Sequence, residues 1–197
     1  MPATRPEFAD AERSLLLRIA RGSIVSGLGG GGPLGLTLED LPQTLHYLRA
    51  TFVTIYLGEK LRGCIGSLEA HRAVAEDVAH NAYASAFRDP RFSPLTEQEM
   101  TDVRVQVSVL RPASPISFRD DEDLRRQLRA GEDGVILEWG TRRATFLPSV
   151  WDTLPDPREF LAALKRKAGM RPDDDIVVCR VSRYRTESFA DSDLPGP

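Results

Sequence analysis

The stretch from Val103 to Leu110 constrains this chain most. Valines at 103, 105, 107 and 109 alternate with Arg104, Gln106 and Ser108, the period-2 pattern of a strand with one face in a core and the other in water. Phe52 to Leu57 is β-rich, Gly58-Glu59 can turn, and Lys60 to Ile65 can return as the second arm of a hairpin. Gly134 to Trp139, Gly140-Thr141 and Arg142 to Leu147 read as another hairpin, ended by Pro148, and a last strand is expected from Ile176 to about Arg185.

Helices fall between these strands. From Ala11 to Ile24, Leu15, Leu16, Ile19 and Ala20 share one side of a 3.6-residue period, and from Ala73 to Arg88 the positions Val74, Val78, Ala82 and Ala86 repeat every four residues until Pro90. Thr96 and Glu99 form a capping box that opens a short helix, and Gly131 closes another from Asp121 to Ala130. Asp156-Pro157-Arg158-Glu159 opens a helix burying Phe160, Leu161 and Leu164, which Gly169 ends. Hairpins interspersed with helices, without regular β-α-β alternation, indicate an α+β fold with antiparallel or mixed sheets.

The chain has 197 residues, 41% of them hydrophobic, and a domain of this size hides about 70% of the surface of its unfolded chain without staples. One compact unit is expected over residues 11–189, with flexible ends at 1–10 and 190–197 and a mobile glycine-rich linker at 27–35. That linker lacks the Gly-Lys-Ser/Thr ending of a phosphate loop. With 26 basic and 29 acidic residues, the charge balance argues against nucleic acid or an anionic membrane as partner of the whole surface. Met1 to Ala11 carries no signal-peptide core and no stretch stays apolar for the length of a bilayer, so the expected location is cytoplasmic. Cys64 and Cys179 stand far apart outside any C-x-x-C pair, and His46, His71 and His80 lack ligand spacing, so free thiols and no metal site are expected.

Chemistry is most legible in Lys60-Leu61-Arg62-Gly63-Cys64-Ile65-Gly66-Ser67. Strict alternation sends Lys60, Arg62 and Cys64 to one face and Leu61 and Ile65 to the other. A thiol beside two cations is favoured as the nucleophilic thiolate. Gly63 and Gly66 would let a ligand or a second backbone approach, and freed amides could bind an oxyanion. The competing reading is a core cysteine with packing glycines. A base for the thiol would come from His46, His71, His80, Glu69, Asp77 or Asp89, with His71 nearest in sequence; His80, a turn beyond Asp77, reads as half of an exposed ion pair. In Phe87 to Leu95, Arg91 beside Phe92 can clamp a small anion or planar ligand. Alternatively, Asp89 pairs with Arg91 to hold the loop while Phe92 plugs the core. Lys165-Arg166-Lys167 reads as the solvated side of its helix.

Leu61-Arg62-Gly63-Cys64-Ile65-Gly66, Asp89-Pro90-Arg91-Phe92, Val107-Ser108-Val109-Leu110, Phe146-Leu147-Pro148 and Lys167-Ala168-Gly169 together resemble, in order and spacing, a known family. It is the one named after the AMME (Alport syndrome) chromosomal-region gene product, in prokaryotes AmmeMemoRadiSam system protein A, and the likeness runs from about Ala11 to Phe189. It implies an α+β fold of two lobes flanking a cleft: a larger lobe built from both chain ends, a smaller one inserted between, and the hexapeptide near the cleft. It also implies a pathway shared with a Memo-like protein and a radical S-adenosylmethionine enzyme; this chain carries no C-x-x-x-C-x-x-C cluster motif of its own. Ala73 and Ser93 replace prolines common in the family, and Ser149 stands where glutamine often follows Leu-Pro. No particular reaction or cofactor is implied. Within that frame Cys64 is a candidate nucleophile, His71 a weak candidate base, and Arg62, Gly63, Gly66, Asp89, Arg91 and Phe92 candidate binding residues for a small molecule or peptide. The alternatives are a non-catalytic adaptor for those partners and a nucleic-acid-linked regulator.

Overall fold

A computed structural model describes residues 7–193 and divides the chain into two units, one running to Leu110 and resuming at Glu187, the other from Arg111 to Thr186. In unit 1, strands β1 (Thr51–Leu57), β2 (Lys60–Gly66) and β3 (Val103–Leu110) join a strand from the far end of the chain, Thr186–Ala190, in a four-stranded sheet with β2 at one edge. β1 lies antiparallel to both β2 and β3. The alternating valines of β3 are buried with Val53 and Ile55 of β1 beneath helices α1 (Asp10–Leu28) and α2 (Val74–Phe87). Gly58 makes the β1–β2 turn at φ +56°, a left-handed conformation natural to glycine.

The first helix outruns its expected end. Gly27 lies inside the helix, and its missing side chain makes room for the Phe87 ring, which would stand 2.2 Å from a Cβ placed there. The glycines beyond fold back on α1: Gly31 N donates to Ser26 O at 2.9 Å, Ser26 Oγ to Gly32 O at 2.9 Å and Leu34 N to Ser23 Oγ at 3.1 Å. Both expected flexible ends are anchored in their described parts. Phe8 is buried, the amides of Glu7 and Phe8 donate to the Glu187 carboxylate, and Asp191 accepts from Val105 N at 2.8 Å and Arg21 Nε at 2.7 Å. Residues 1–6 and 194–197 lie outside the described residues.

Unit 2 holds β4 (Ser114–Pro115), β5 (Gly134–Trp139), β6 (Arg142–Phe146) and β7 (Arg180–Tyr184) in the order β4-β7-β5-β6, with helices α3 (Asp121–Gln127) and α4 (Pro157–Lys167). Thr186–Ala190 is then β8. Of the expected last strand, Ile176 to about Arg185, only Arg180–Tyr184 is strand, and β8 in the other sheet follows beyond its expected end. The apolar start of the expected strand, Ile176–Val178, is a 3-10 turn, fixed by Asp175, whose carboxylate accepts from Val177 N at 3.0 Å. Phe160 of α4 stacks on Trp151 at 3.7 Å between centroids within a core that includes Val135, Leu137, Leu161 and Leu164. Lys165 corrects the reading of a solvated basic cluster. Its ammonium is buried and donates to Asp121 at 2.7 Å, Asp174 O at 2.8 Å and Pro172 O at 3.2 Å, while Arg166 and Lys167 are exposed. Burial is tolerated because each proton has an acceptor. Among the described residues, no helix is long and apolar enough to cross a membrane.

Candidate functional site

Cys64 stands opposite Thr54 in the β1–β2 register, and Thr54 Oγ1 donates to its sulfur at 3.3 Å. The thiol is half-buried. Because β2 is an edge strand, its outward backbone groups need partners from elsewhere. The loop following α2 supplies them. Cys64 N donates to Asp89 Oδ2 at 2.9 Å, and Arg91 Nη2 donates to Cys64 O at 3.3 Å. Asp89 in turn accepts from Arg91 Nε at 2.9 Å, Nη2 at 2.7 Å and the Arg91 amide at 3.1 Å. The Arg91 guanidinium, bonding directly to this buried carboxylate, is the main reason its pKa lies far below the usual carboxylate range; burial opposes the shift. Asp89 and Arg91 thus act together as a latch that pairs with β2 at a single residue.

The glycines of the hexapeptide face protein. A Cβ on Gly63 would lie 2.1 Å from the Ser85 carbonyl, and one on Gly66 would lie 2.3 Å from the Phe52 ring and 2.5 Å from Thr51 O. At Gly63 the close approach is that of a second backbone, helix α2. Ser85 also inserts its hydroxyl into the β1–β2 ladder, accepting from Ile65 N at 2.8 Å and donating to Val53 O at 2.7 Å. Of the backbone amides near Gly63 and Gly66, those of Cys64 and Ile65 are not free for an oxyanion but serve Asp89 and Ser85.

Arg62 occupies a β-bulge: the register passes from Ile55↔Gly63 to Tyr56↔Leu61 and skips it. This corrects the expectation of strict alternation. Leu61 now pairs with Tyr56, which shares the Thr54 side of β1, and Arg62 turns away to the 93–99 segment. Its Nε and Nη2 grip Glu99 at 2.7 and 3.1 Å, and Nη1 donates to Ser93 O at 3.0 Å. Glu99 also accepts the Thr96 amide and hydroxyl at 2.8 and 2.9 Å, so the capping box forms, around a 3-10 rather than an α-helical turn. With Arg62 as the principal cause, its pKa falls to about 2.

Phe92 is half-buried with the guanidiniums of Arg91 and Arg62 at 5.3 and 5.9 Å from its centroid. The core plug expected of it is Leu95, buried and tied to Ala86 O through its amide at 2.8 Å. His71 is exposed and lies 3.3 Å from Glu69; among the described residues it makes no bond to the thiol. His80 is exposed, but Asp77 is not its surface partner. The Asp77 carboxylate is buried and accepts Thr51 N and Oγ1 at 2.8 Å, Ser67 Oγ at 2.8 Å and Asn81 Nδ2 at 2.9 Å. Tyr56, its phenol pushed up mainly by burial and further by Cys64, stands beneath Arg104 at 4.6 Å. Sequence reasoning missed Thr54, Ser85 and the Arg62–Glu99 grip; a regular register from the Gly58-Glu59 turn would have set Cys64 opposite Val53.

Comparison with known proteins places this geometry in context. The AMMECR1 family model matches residues 17–189. A protein of Methanothermobacter thermautotrophicus is 37% identical over 184 residues, covering 90% of this chain and 93% of its own. One of Methanocaldococcus jannaschii is 34% identical, covering 94% and 92%. The crystal structure of an uncharacterized protein from Pyrococcus horikoshii is similar with a TM-score of 0.86 and 32% identity, covering 98% of this chain and 97% of that one. The chain belongs to the AMMECR1 family.

Proposed function

We propose that the β2 edge and its latch form a recognition surface for a peptide or small anionic ligand, in a cytoplasmic pathway shared with a Memo-like protein and a radical S-adenosylmethionine enzyme. On this reading the surface binds and performs no chemistry of its own. The observation that carries it is the use of the polar groups. Asp89 and Arg91 satisfy the backbone of Cys64 and each other, while the Arg91 side chain keeps 53% of its surface open beside Phe92. A cation held over an aromatic ring at a closed strand edge suits docking of a carboxylate or an acidic side chain. Capture of a Memo-like partner by the full chain tests it: Arg91→Ala or Phe92→Ala should abolish retention and Cys64→Ser should leave it intact. Loss with Cys64→Ser alone would overturn the reading.

The half-buried thiol favours a second reading, in which Cys64 is a nucleophile or covalent acceptor. Cys179 is an internal reference, since it is buried and burial pushes its thiol up. Iodoacetamide labelling of Cys64 with a pH midpoint clearly below that of a model thiol, and with Cys179 unlabelled, supports catalysis. An inert Cys64 at about pH 8 removes it.

A further inference from the structure

Unit 2 carries a concavity of about 290 Å³ whose lining includes Arg111, Arg129, Arg183 and Arg185, together with Ser114 and Asp133. It draws on none of the candidate site residues at the β2 edge, and its arginines come from three separate stretches of sequence. Arg111 begins the unit and donates its amide to Arg185 O at 2.8 Å, which brings the two ends of the unit together. Arg183 lies opposite Ser114 in the β4–β7 register. Arg129 opens a tight turn in which Gly131, at φ +77°, lets the Asp133 carboxylate accept the Arg129 amide at 3.0 Å.

The guanidiniums are held by neighbouring acceptors. Arg183 Nη1 donates to Gln127 O at 3.2 Å and lies 3.9 Å from Asp133; Arg185 Nη2 donates to Glu132 Oε2 at 2.7 Å, and Arg129 Nη1 lies 3.6 Å from the same carboxylate. Asp133 is itself buried, with its side chain 2% exposed, whereas the side chains of Arg129, Arg183 and Arg185 keep 47, 40 and 38% of their surface open. Asp133 is thus the buried acid of the lining, whereas Glu132, which lies against Arg129 and Arg185, keeps 54% of its side-chain surface open, as the three arginines keep much of theirs. Four arginines and one carboxylate, Asp133, line the concavity, an excess of positive charge that suits a multivalent anion which several planar forks can grip at once. Tyr184 also lines the space, but its hydroxyl is turned to Thr145 and Phe146 O at 3.0 and 3.2 Å, which leaves anion recognition to the arginines and the Ser114 hydroxyl.

We propose that this concavity is a binding site for a phosphate-bearing small molecule. Calorimetric titration of the full chain with inorganic pyrophosphate tests it. Saturable one-to-one binding is expected, weakening by about ten-fold or more in Arg129→Gln/Arg183→Gln, because bidentate phosphate contacts are lost with each fork. Arg125→Gln/Arg158→Gln removes the same charge from another part of the unit's surface and should bind as wild type does. Thermal melting establishes that each variant is folded. Should the first pair fail to fold, Arg111→Lys/Arg185→Lys keeps the charge while losing the planar fork, and weakened binding is again expected. Absence of saturable binding by the wild type, equal weakening in the charge-matched pair, or binding of single-stranded RNA without binding of pyrophosphate would each overturn the proposal.

Discussion

Arg91 in unit 1 and Arg183 in unit 2 each lie beside a carboxylate withdrawn from water, Asp89 and Asp133, whose side chains are both 2% exposed. The distances differ: 2.7 Å in the first case and 3.9 Å in the second. Asp89 directs both oxygens at Arg91 and at the Cys64 amide, so arginine and carboxylate lock together and close a strand edge. Asp133 gives its carboxylate to the Arg129 amide of its own turn, and Arg183 takes a backbone carbonyl instead. Burial of the acid does not by itself settle what the arginine does. The direction in which the acid's lone pairs point settles it.

The largest effect expected of that difference is on stability. Asp89→Ala strands the Cys64 and Arg91 amides and deprives a half-exposed guanidinium of its buried partner, and should cost about 3–4 kcal/mol in chemical denaturation. Asp133→Ala removes an acceptor from one turn amide and leaves Arg183 its carbonyl, and should cost about 1–2 kcal/mol. Equal losses would break the comparison.

Acid should act on the latch and on the neighbouring Arg62–Glu99 grip. Both carboxylates titrate below their ordinary values, Glu99 at about 2 and Asp89 lower still. A depressed folded pKa means that the unfolded chain binds protons first, so the stability these groups contribute is fully present above about pH 5 and drains away as pH falls toward the folded values. The melting temperature of the wild type should therefore decline between about pH 5 and 2 more steeply than that of Asp89→Asn or Glu99→Gln. Parallel declines would show that neither pair matters to acid stability.

Much of this fold was legible because periodicity and capping act locally. The valines of β3, the Gly58 and Gly140 turns and the Asp156 cap of α4 each announce an element through residues close in sequence. What was hidden depends on distant partners. Nothing near Gly63 says that the Ser85 carbonyl fills its empty side, and nothing near Arg62 says that it is bulged out toward Glu99. One extra residue in β2 moved Cys64 from Val53 to Thr54 and so replaced an apolar neighbour with a hydroxyl, a change no alternation pattern anticipates. Asp89 and Arg91 were legible as a possible pair from their spacing, but their hold on the Cys64 backbone was not. Lys165 misled for a related reason: a helical wheel shows which side chains share a face, not which loop will later cover it. The arginine concavity left no local trace, since Arg111, Arg129 and the Arg183–Arg185 pair meet only through the topology of unit 2.

Smaller effects sharpen the contrast at the glycines. Gly63→Ala must displace a helix carbonyl, which no side-chain rotation relieves, and should cost about 3 kcal/mol. Gly131→Ala meets nothing within 4 Å and carries only the strain of a left-handed residue, about 1 kcal/mol. Urea denaturation of the two variants orders them, and a larger loss at Gly131 would mean that α2 yields more readily than its packing against the sheet implies.

Cys64→Ser should have the smallest effect, under about 1 kcal/mol. The latch grips the backbone of this residue through Asp89 and Arg91, so the bonds that hold the strand edge are indifferent to what the side chain carries. A serine hydroxyl can also take the hydrogen bond that Thr54 now gives to sulfur. Thermal melts of Cys64→Ser and of Thr54→Val then separate the roles. If both variants melt close to the wild type, the thiol and its hydroxyl partner are dispensable for folding, and any loss of partner capture in either, or of Cys64 labelling in Thr54→Val, reports on function alone. A loss as large as that of Asp89→Ala would instead make the sulfur part of the latch and erase the distinction between the strand's backbone and the side chain it presents.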